Sequence, residues 1–318
     1  MTHVLISSVS KKIPLLLSVR EALETLRIKG KIYGADADPT AIGRFFVDHF
    51  WQMPTLETLT CQELIEFCRK EEIRWIIPTR DGELPFFAMH RETLKKEGIF
   101  CMISKEASIE TSLDKLSFFQ RLAEKQRPVI PTYLHLEDIV ENAYVVKERF
   151  GAGSMNLGLN LTASAADIFA KRLKQPIFQP FIHGEEYSVD LYVDLTGTCR
   201  GTLARRRQKV VHGESQITTS VRFPRLEKLC EKVASDLDVY GHAVFQVIDA
   251  QGELSIVEAN LRFGGASTLA IEMGLNSFAW FFLETIEGDC ERLPYSRSKE
   301  EKTLIRYPKD QIFNDLRL

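Results

Sequence analysis

The residues with the clearest chemistry are Gln246 and, beyond a compact turn at Asp249-Ala-Gln-Gly252, the run Glu258-Ala-Asn260-Leu-Arg262. Successive side chains of a strand alternate faces, so Glu258, Asn260 and Arg262 project to one side and Ala259, Leu261 and Phe263 to the other. A carboxylate, two amide oxygens and a guanidinium suit a hard divalent cation and a phosphate. Gln246, Glu258 and Asn260 would then hold Mg²⁺, and Arg262 would meet the negative charge that the metal leaves uncovered. The plainer reading is a solvated strand face. It expects mixed polar residues to continue upstream, whereas Leu254 and Ile256 share the parity and are apolar, so the polar set clusters at the strand's end.

A second pattern, Val145-Val-Lys147-Glu-Arg149-Phe-Gly151-Ala-Gly153-Ser154, reads as an apolar strand delivering a lysine and then a glycine-containing loop. Glycines let backbone amides approach phosphate oxygens, so Gly151, Gly153 and Ser154 could form a cradle with Lys147 as its point charge. A ligand-free turn explains this local pattern at least as well. The spacing matches neither G-x-x-x-x-G-K-[ST] nor G-x-G-x-x-G. A third segment, Phe178-Gln179-Pro180-Phe181-Ile182-His183-Gly184-Glu185-Glu186 and on to Asp190, is an apolar strand that breaks at a glycine and restarts with carboxylates. Such a break sets backbone groups against a base edge and a carboxylate against a ribose, or is a strand, a turn and an edge strand. Asp36, at the end of an early strand, invites a dinucleotide reading, but Ser7-Ser-Val-Ser10 stands where that motif needs glycines.

These residues have to be carried by strands and helices in a particular order. Residues 1–103 alternate short apolar strands with amphipathic helices, the pattern of a parallel sheet covered by helices. Strands are expected at His3–Val9, Lys31–Ala35, Arg74–Pro78 and Gly98–Ile103, with a helix ending near a C-cap at Gly30. Thr60 and Glu63 form a capping-box signature, and Asp81 is placed to cap the following helix. From Ser104 the pattern changes to helices followed by long strands with hairpin turns, an α+β arrangement with antiparallel sheet. Strands at Asn142–Phe150, Pro176–Ile182, Glu185–Leu195, Ala243–Ile248 and Leu254–Phe263 accompany a helix over Leu226–Leu237. No Pro- or Ser-rich linker separates the parts, which are expected to pack closely.

The chain has 318 residues, 44% hydrophobic and 27% charged, which is the balance of a globular protein with two or three domains. The net charge of −3 offers no global footprint for nucleic acid or for an anionic membrane. The basic run Leu203-Ala-Arg205-Arg206-Arg207-Gln-Lys209 lacks interleaved aromatics for base stacking, so no nucleic-acid partner is expected. The longest apolar runs are too short to cross a bilayer, and no secretory signal is evident, so the protein is read as cytoplasmic. Six cysteines without a C-x-x-C pair read as reduced, buried thiols. The seven histidines show no ligand spacing.

Taken together and in this order, the motifs resemble the ATP-grasp superfamily, and within it single-module carboxylate–amine ligases related to a carbamoyl-phosphate-synthetase synthetase unit. The resemblance runs from the first strand to about Asn276. It implies a pre-ATP-grasp α/β domain over 1–103, linker helices and a lid over 104–182, and a C-terminal α+β subdomain over 183–318. It further implies ATP with Mg²⁺, for which Mn²⁺ could substitute. Lys115, in Asp114-Lys115, and Lys147 would contact phosphates; Gln179, Pro180, Phe181 and Ile182 would form the adenine hinge; Glu186 would bind ribose. Gln246, Glu258 and Asn260 resemble the family's metal ligands, and Arg262 its acyl-phosphate arginine, with Arg262 and Lys147 as the catalytic pair. Leu261 replaces the usual proline and Glu148 a frequent one, without removing a functional side chain. The basic run falls where the family places a wall near the phosphates, leaving the roles of Arg80, Arg205, Arg206 and Arg207 open. The implied activity is ADP-forming joining of a small carboxylate and an amine, with amino acids as candidate substrates and a homodimer compatible with it. An ATP-binding regulatory module without turnover is the alternative. One module in a short chain argues against carbamoyl phosphate synthesis, and length against biotin carboxylase.

Overall fold

The computed structural model describes residues 2–151 and 156–314. Gly153 and Ser154, expected in a phosphate loop, lie outside the described residues. Five parallel strands, β1 (His3–Ser7), β2 (Ile32–Asp36), β3 (His49–Gln52), β4 (Ile73–Ile77) and β5 (Phe100–Cys101), form a sheet in the order β3-β2-β1-β4-β5. Helices α1 (Ile13–Thr25), α2 (Cys61–Lys70) and α3 (Leu84–Lys96) connect and cover it. Val4, Ile6, Trp75 and Ile77 face one apolar cluster and Leu5, Ile73 and Ile76 the other, so the sheet is buried on both sides as a parallel sheet requires.

Helices α4 (Glu106–Leu113) and α5 (Lys115–Glu124) lead to a three-stranded antiparallel sheet in the order β7-β6-β8, formed by β6 (Tyr144–Glu148), β7 (Gly158–Leu161) and β8 (Pro176–Pro180), with α6 (Ala163–Ala170) against it. A six-stranded antiparallel sheet follows. Its order is β13-β12-β9-β10-β11-β14, from β9 (Glu185–Val193), β10 (Cys199–Val211), β11 (Glu214–Val221), β12 (Gly241–Ala250), β13 (Glu253–Asn260) and β14 (Thr303–Ile305). Helices α7 (Pro224–Asp236), α8 (Thr268–Glu272) and α9 (Ser277–Glu287) complete it. One face of this sheet, including Val189, Leu191, Phe245 and Val247, shares an apolar cluster with α2, α3 and α7. Helix α9 shares another with α1 and β4, where Trp75 Nε1 donates to Thr285 Oγ1 at 2.7 Å. The close packing of the two halves is thus built into common cores. Among the described residues no helix is long and apolar enough to cross a membrane.

Several sequence expectations are corrected by local geometry. Helix α1 stops at Thr25 and the left-handed position is Arg27 (φ 55°), not Gly30, which instead passes the Thr2 carbonyl so closely that a Cβ would lie 2.5 Å from it. Asp81 does not cap α3, whose N-cap is Glu83; both Asp81 oxygens accept from Arg262 instead. β3 is an additional edge strand, short and half-exposed, and so without the alternation that would announce it. The Thr60–Glu63 capping box is present, and the β12–β13 turn carries Gln251 (φ 57°) and Gly252 (φ 96°), the two left-handed positions of a tight hairpin.

Asp190 ties the large sheet together beneath its polar face. It is fully buried on β9 and accepts from Arg205 Nε of β10 at 2.6 Å, pairs with His242 Nε2 of β12 at 3.2 Å, and accepts from Ser267 Oγ beyond β13. Burial alone would raise its carboxyl, but Arg205 and the hydrogen bonds from His242 and Ser267 outweigh it and hold it well below the usual carboxylate range. Removing one partner of such a pair strands the other in a dry interior. Asp190→Asn should therefore lose about 3–5 kcal/mol in urea unfolding at pH 7. Because the folded-state value is depressed, the wild-type advantage is complete above the ordinary carboxylate range and fades as pH falls below it. A cost under about 1 kcal/mol at pH 7 would show that the pair contributes little.

Candidate active site

The polar face of the large sheet and the small sheet confront each other across a cavity of about 730 Å³, within the range of small-molecule sites. Glu186 enters it from β9, Arg207 from β10, Gln246 from β12 and Glu258 from β13. From the opposite side come Lys147 on β6, Gln179 and Pro180 on β8, and Phe181 and Ile182 just beyond it. Lys115, the first residue of α5, and Gly151 close one end. Asn260 and Arg262 stand behind this lining.

A β-bulge makes the acidic end of β13 polar. Pairing between β12 and β13 runs Gln246 to Glu258 and then Val247 to Ile256, so Val257 is an extra residue. The bulge reverses the alternation: Leu254, Ile256, Ala259 and Leu261 all point into one apolar cluster, and Glu258 faces the cavity. The inference that Leu254 and Ile256 share the face of Glu258 is therefore wrong, because it assumed an unbroken strand. Gln246 Nε2 donates to Glu258 Oε1 at 2.9 Å and Asn260 Nδ2 to the same oxygen at 3.1 Å. One carboxylate and two amides thus converge.

Arg207, whose role the sequence reading left open, is the arginine of the basic run that reaches the cavity. Its guanidinium donates to Gln246 Oε1 at 2.8 Å, Glu186 Oε2 at 3.0 Å, Ser215 Oγ at 3.1 Å and the Gly213 carbonyl at 2.7 Å. Its neighbours in the run go elsewhere, Arg205 to buried Asp190 and Arg206 to exposed Glu185. The β-strand spacing of Arg205 and Arg207 put both on the polar face; their partners on adjacent strands decided which one reaches the cavity.

The lysines are placed by their own supports. Asp114 caps α5 through the Leu116 and Ser117 amides and accepts from Arg149 Nε at 2.7 Å, which fixes the start of the helix. Lys115 Nζ donates to the Gly151 carbonyl at 2.8 Å. Burial pushes Lys115 down, while Glu258, Asp81 and Asp114 oppose the shift. Lys147 is only 9% exposed and is pushed down to about 8, chiefly by burial; Glu258 raises it and Lys115 lowers it further. Gln179 spends its amide on Thr132 Oγ1 at 2.7 Å, a partner not foreseen from sequence. Asp36 accepts the Ser10 and Asp38 amides, which accounts for its position without a dinucleotide.

Residues 112–266 match the family described as ATP-grasp domain, and residues 4–102 the PylC-like, N-terminal domain. No match was found among curated proteins. Among solved structures, the biotin carboxylase domain of 2-oxoglutarate carboxylase from Hydrogenobacter thermophilus, a dimer with MgADP, ADP and bicarbonate, is similar over 95% of this chain and 73% of its own, with TM-score 0.76 and 15% identity. L-amino acid ligase from Bacillus licheniformis is similar over 90% and 74%, with TM-score 0.69 and 17% identity. N5-carboxyaminoimidazole synthetase from Staphylococcus aureus, complexed with ADP, is similar over 89% and 76%, with TM-score 0.68 and 14% identity. At these identities the likeness is one of fold.

The depressed Lys147 carries a stability cost that can be measured. Its folded-state value near 8 lies below the unfolded value near 10.5, so the cost is complete at pH 7 and is relieved as pH rises from about 8 to 10.5. Lys147→Met, which keeps the length and removes the charge, should stabilise the free protein at pH 7 by up to about 3 kcal/mol, with the gain vanishing above pH 10. A destabilised Met variant at pH 7 would contradict this placement of the ammonium.

Proposed function

Because the chain carries an ATP-grasp domain behind a PylC-like N-terminal domain, we propose that it is an ADP-forming carboxylate–amine ligase using ATP and Mg²⁺. The observation that carries the reading is the cavity between the small sheet and the large one, in which Lys115 and Lys147 face Glu258 and Arg207 of the large sheet. We assign residues 1–103 to the N-terminal domain, 104–182 to the linker helices and lid, and 183–318 to the C-terminal subdomain.

In this reading the purine lies against Gln179, Pro180, Phe181 and Ile182, whose apolar strand ends at the cavity wall. Glu186 takes the ribose hydroxyls with its free oxygen, and the phosphates extend towards Lys147, Lys115 and Arg207. Gln246, Glu258 and Asn260 offer only oxygen donors once the two amides turn, a set that fits Mg²⁺. The ion supplies positive charge against the phosphate oxygens. A carboxylate oxygen of the acid attacks the γ-phosphorus and ADP leaves; the amine nitrogen then attacks the acyl carbon, phosphate departs with the C–O electron pair, and the amine gives up a proton. The lysines and arginines act by position and charge, which is how phosphoryl transfer is accelerated. Amino acids are the substrate class we favour, as in the Bacillus licheniformis relative.

The test is a screen of amino-acid pairs with MgATP, reading ADP and phosphate together. Equal release of both, dependent on a pair, is the expected result. Glu258→Gln should lower turnover at least about 10²-fold while retaining nucleotide, because the metal's charge matters most as the phosphoryl group moves. Nucleotide binding with no turnover for any pair would favour the regulatory module.

Calorimetry supplies a further check. Lys147→Ala should weaken MgATP at least about tenfold, the loss of one charge-assisted contact. Wild-type affinity should fall as pH rises past about 8, where Lys147 sheds its proton in the free protein. A pH-independent affinity between 7 and 10 would remove Lys147 from the phosphate site.

A further inference from the structure

Arg207 is held in the cavity by groups from two places. Gln246 and Glu186 lie on the middle strands of the large sheet, whereas the Gly213 carbonyl and Ser215 Oγ lie at the tip of the β10–β11 hairpin. That tip is set apart from its own sheet. Pairing runs Arg207 to Thr218, Lys209 to Ile217 and Val210 to Ser215, so the ladder is irregular on both sides of Lys209. Beyond the irregularity Val211 pairs with Glu214 around the turn His212-Gly213, where φ is 49° and 75°. Lys209, Val210, Val211 and His212 are exposed rather than packed, yet His212 and Gly213 line the cavity. A broken ladder bends a strand and does not by itself fix what lies beyond the break.

The segment from β14 onward supplies the support. β14 covers the outer edge of β11, pairing Thr303 with Thr219, Leu304 with Thr218 and Ile305 with Ile217. The Arg306 amide extends the ladder to the Gln216 carbonyl at 2.9 Å, and Arg306 Nη1 donates to Glu214 Oε2 at 2.6 Å. These two contacts bracket Ser215. A Cβ on Gly265 would stand 3.1 Å from the same Nη1, so the glycine leaves the guanidinium room. From Arg306 the chain crosses to the N-terminal part without helix or strand. There Phe313 packs against Phe45 and Phe46, beyond β2, with ring centroids 6.3 and 5.6 Å away. The segment is a strap, with one end in the large sheet and the other on the N-terminal domain.

We propose that Arg306 is a positioning residue for Arg207: through Glu214 it sets the hairpin tip whose Gly213 carbonyl and Ser215 hydroxyl hold the Arg207 guanidinium, and the strap to Phe313 keeps Arg306 in place. The anion that Arg207 meets, the phosphates of MgATP, rests on the ligase reading. Glu214 is exposed, and an ion pair so exposed adds little to global stability. Its consequence is local. When the tip shifts, Arg207 loses two of its four acceptors, and its long side chain regains rotamers that binding must freeze again.

Hydrogen exchange on the nucleotide-free protein and calorimetry with MgATP test this together. In Arg306→Ala the amides of 211–216 should exchange at least about fivefold faster than in wild type, while those of 188–193 stay within about twofold, and Arg306→Lys should recover most of the protection. Phe313→Ser, which does not touch the cavity, should loosen the same tip amides. MgATP affinity should fall about fivefold in Arg306→Ala, yet less than about twofold when Arg306→Ala is added to Arg207→Gln, because the effect passes through Arg207. Melting temperatures should show every variant folded. Tip amides indifferent to Arg306→Ala, or an undiminished Arg306→Ala effect in the Arg207→Gln background, would overturn the positioning role. Tip amides indifferent to Phe313→Ser would overturn the strap's part in it. Failure of wild type to bind MgATP would instead overturn the ligase reading, and the exchange measurements would still decide the role of Arg306.

Discussion

The rest of the site depends on the Glu258 carboxylate. It is the anion felt by both Lys115 and Lys147, which come from different elements and would otherwise repel one another across the cavity. Gln246 and Asn260 hold it by hydrogen bonds, and Arg207 in turn holds Gln246. Burial works against the charge on the enclosed Lys147 and the nearby Glu258 carboxylate works for it, leaving the lysine at about 8. The cavity thus brings Lys115, Lys147 and Arg207 together with Glu148, Glu186 and Glu258 in one enclosed space.

That carboxylate reaches the cavity because β13 contains one residue too many. Without the bulge at Val257, the apolar set Leu254 and Ile256 and the acidic residue would compete for one face. With it, the core side stays apolar and the cavity side gains Glu258. Behind the polar face, Asp190 links β9, β10, β12 and the segment after β13, so the strands carrying Glu186, Arg207 and Gln246 and the segment that follows Arg262 share one buried anchor. The N-terminal domain adds Asp81, which sets the guanidinium plane of Arg262 from across the domain boundary. Arg262 thus stands behind the cavity lining, its fork bracing the large sheet against the N-terminal part through Asp81.

Much of this was legible in the sequence because strands that carry chemistry have short, regular periods. The strands carrying Lys147, Gln179, Glu186, Gln246 and Glu258 are visible in the sequence, but that these residues meet was implied by the resemblance and not by the strand pattern itself. What the sequence hid depends on cross-strand partners. Nothing in the run Arg205-Arg206-Arg207 says which arginine meets Asp190 and which meets Gln246, because strand register decides it. A bulge likewise has no local signature in Val257-Glu258. Asp81 looked like a helix cap because its local context suits one, and only the other domain supplies the guanidinium that outbids the backbone amides. Thr132 gave no signal at all, being a lone threonine far in sequence from the Gln179 that it anchors.

The account's central claim is that the cavity between the small and large sheets binds nucleotide with its phosphates in the field of Lys115, Lys147 and Glu258. A crystal structure with MgADP at saturating concentration tests it most directly. The claim predicts the purine against Gln179 to Ile182, the ribose at Glu186, and the diphosphate between the two lysines with a cation at Glu258. An empty cavity, or a nucleotide bound elsewhere with Lys147 still turned to protein alone, would contradict it.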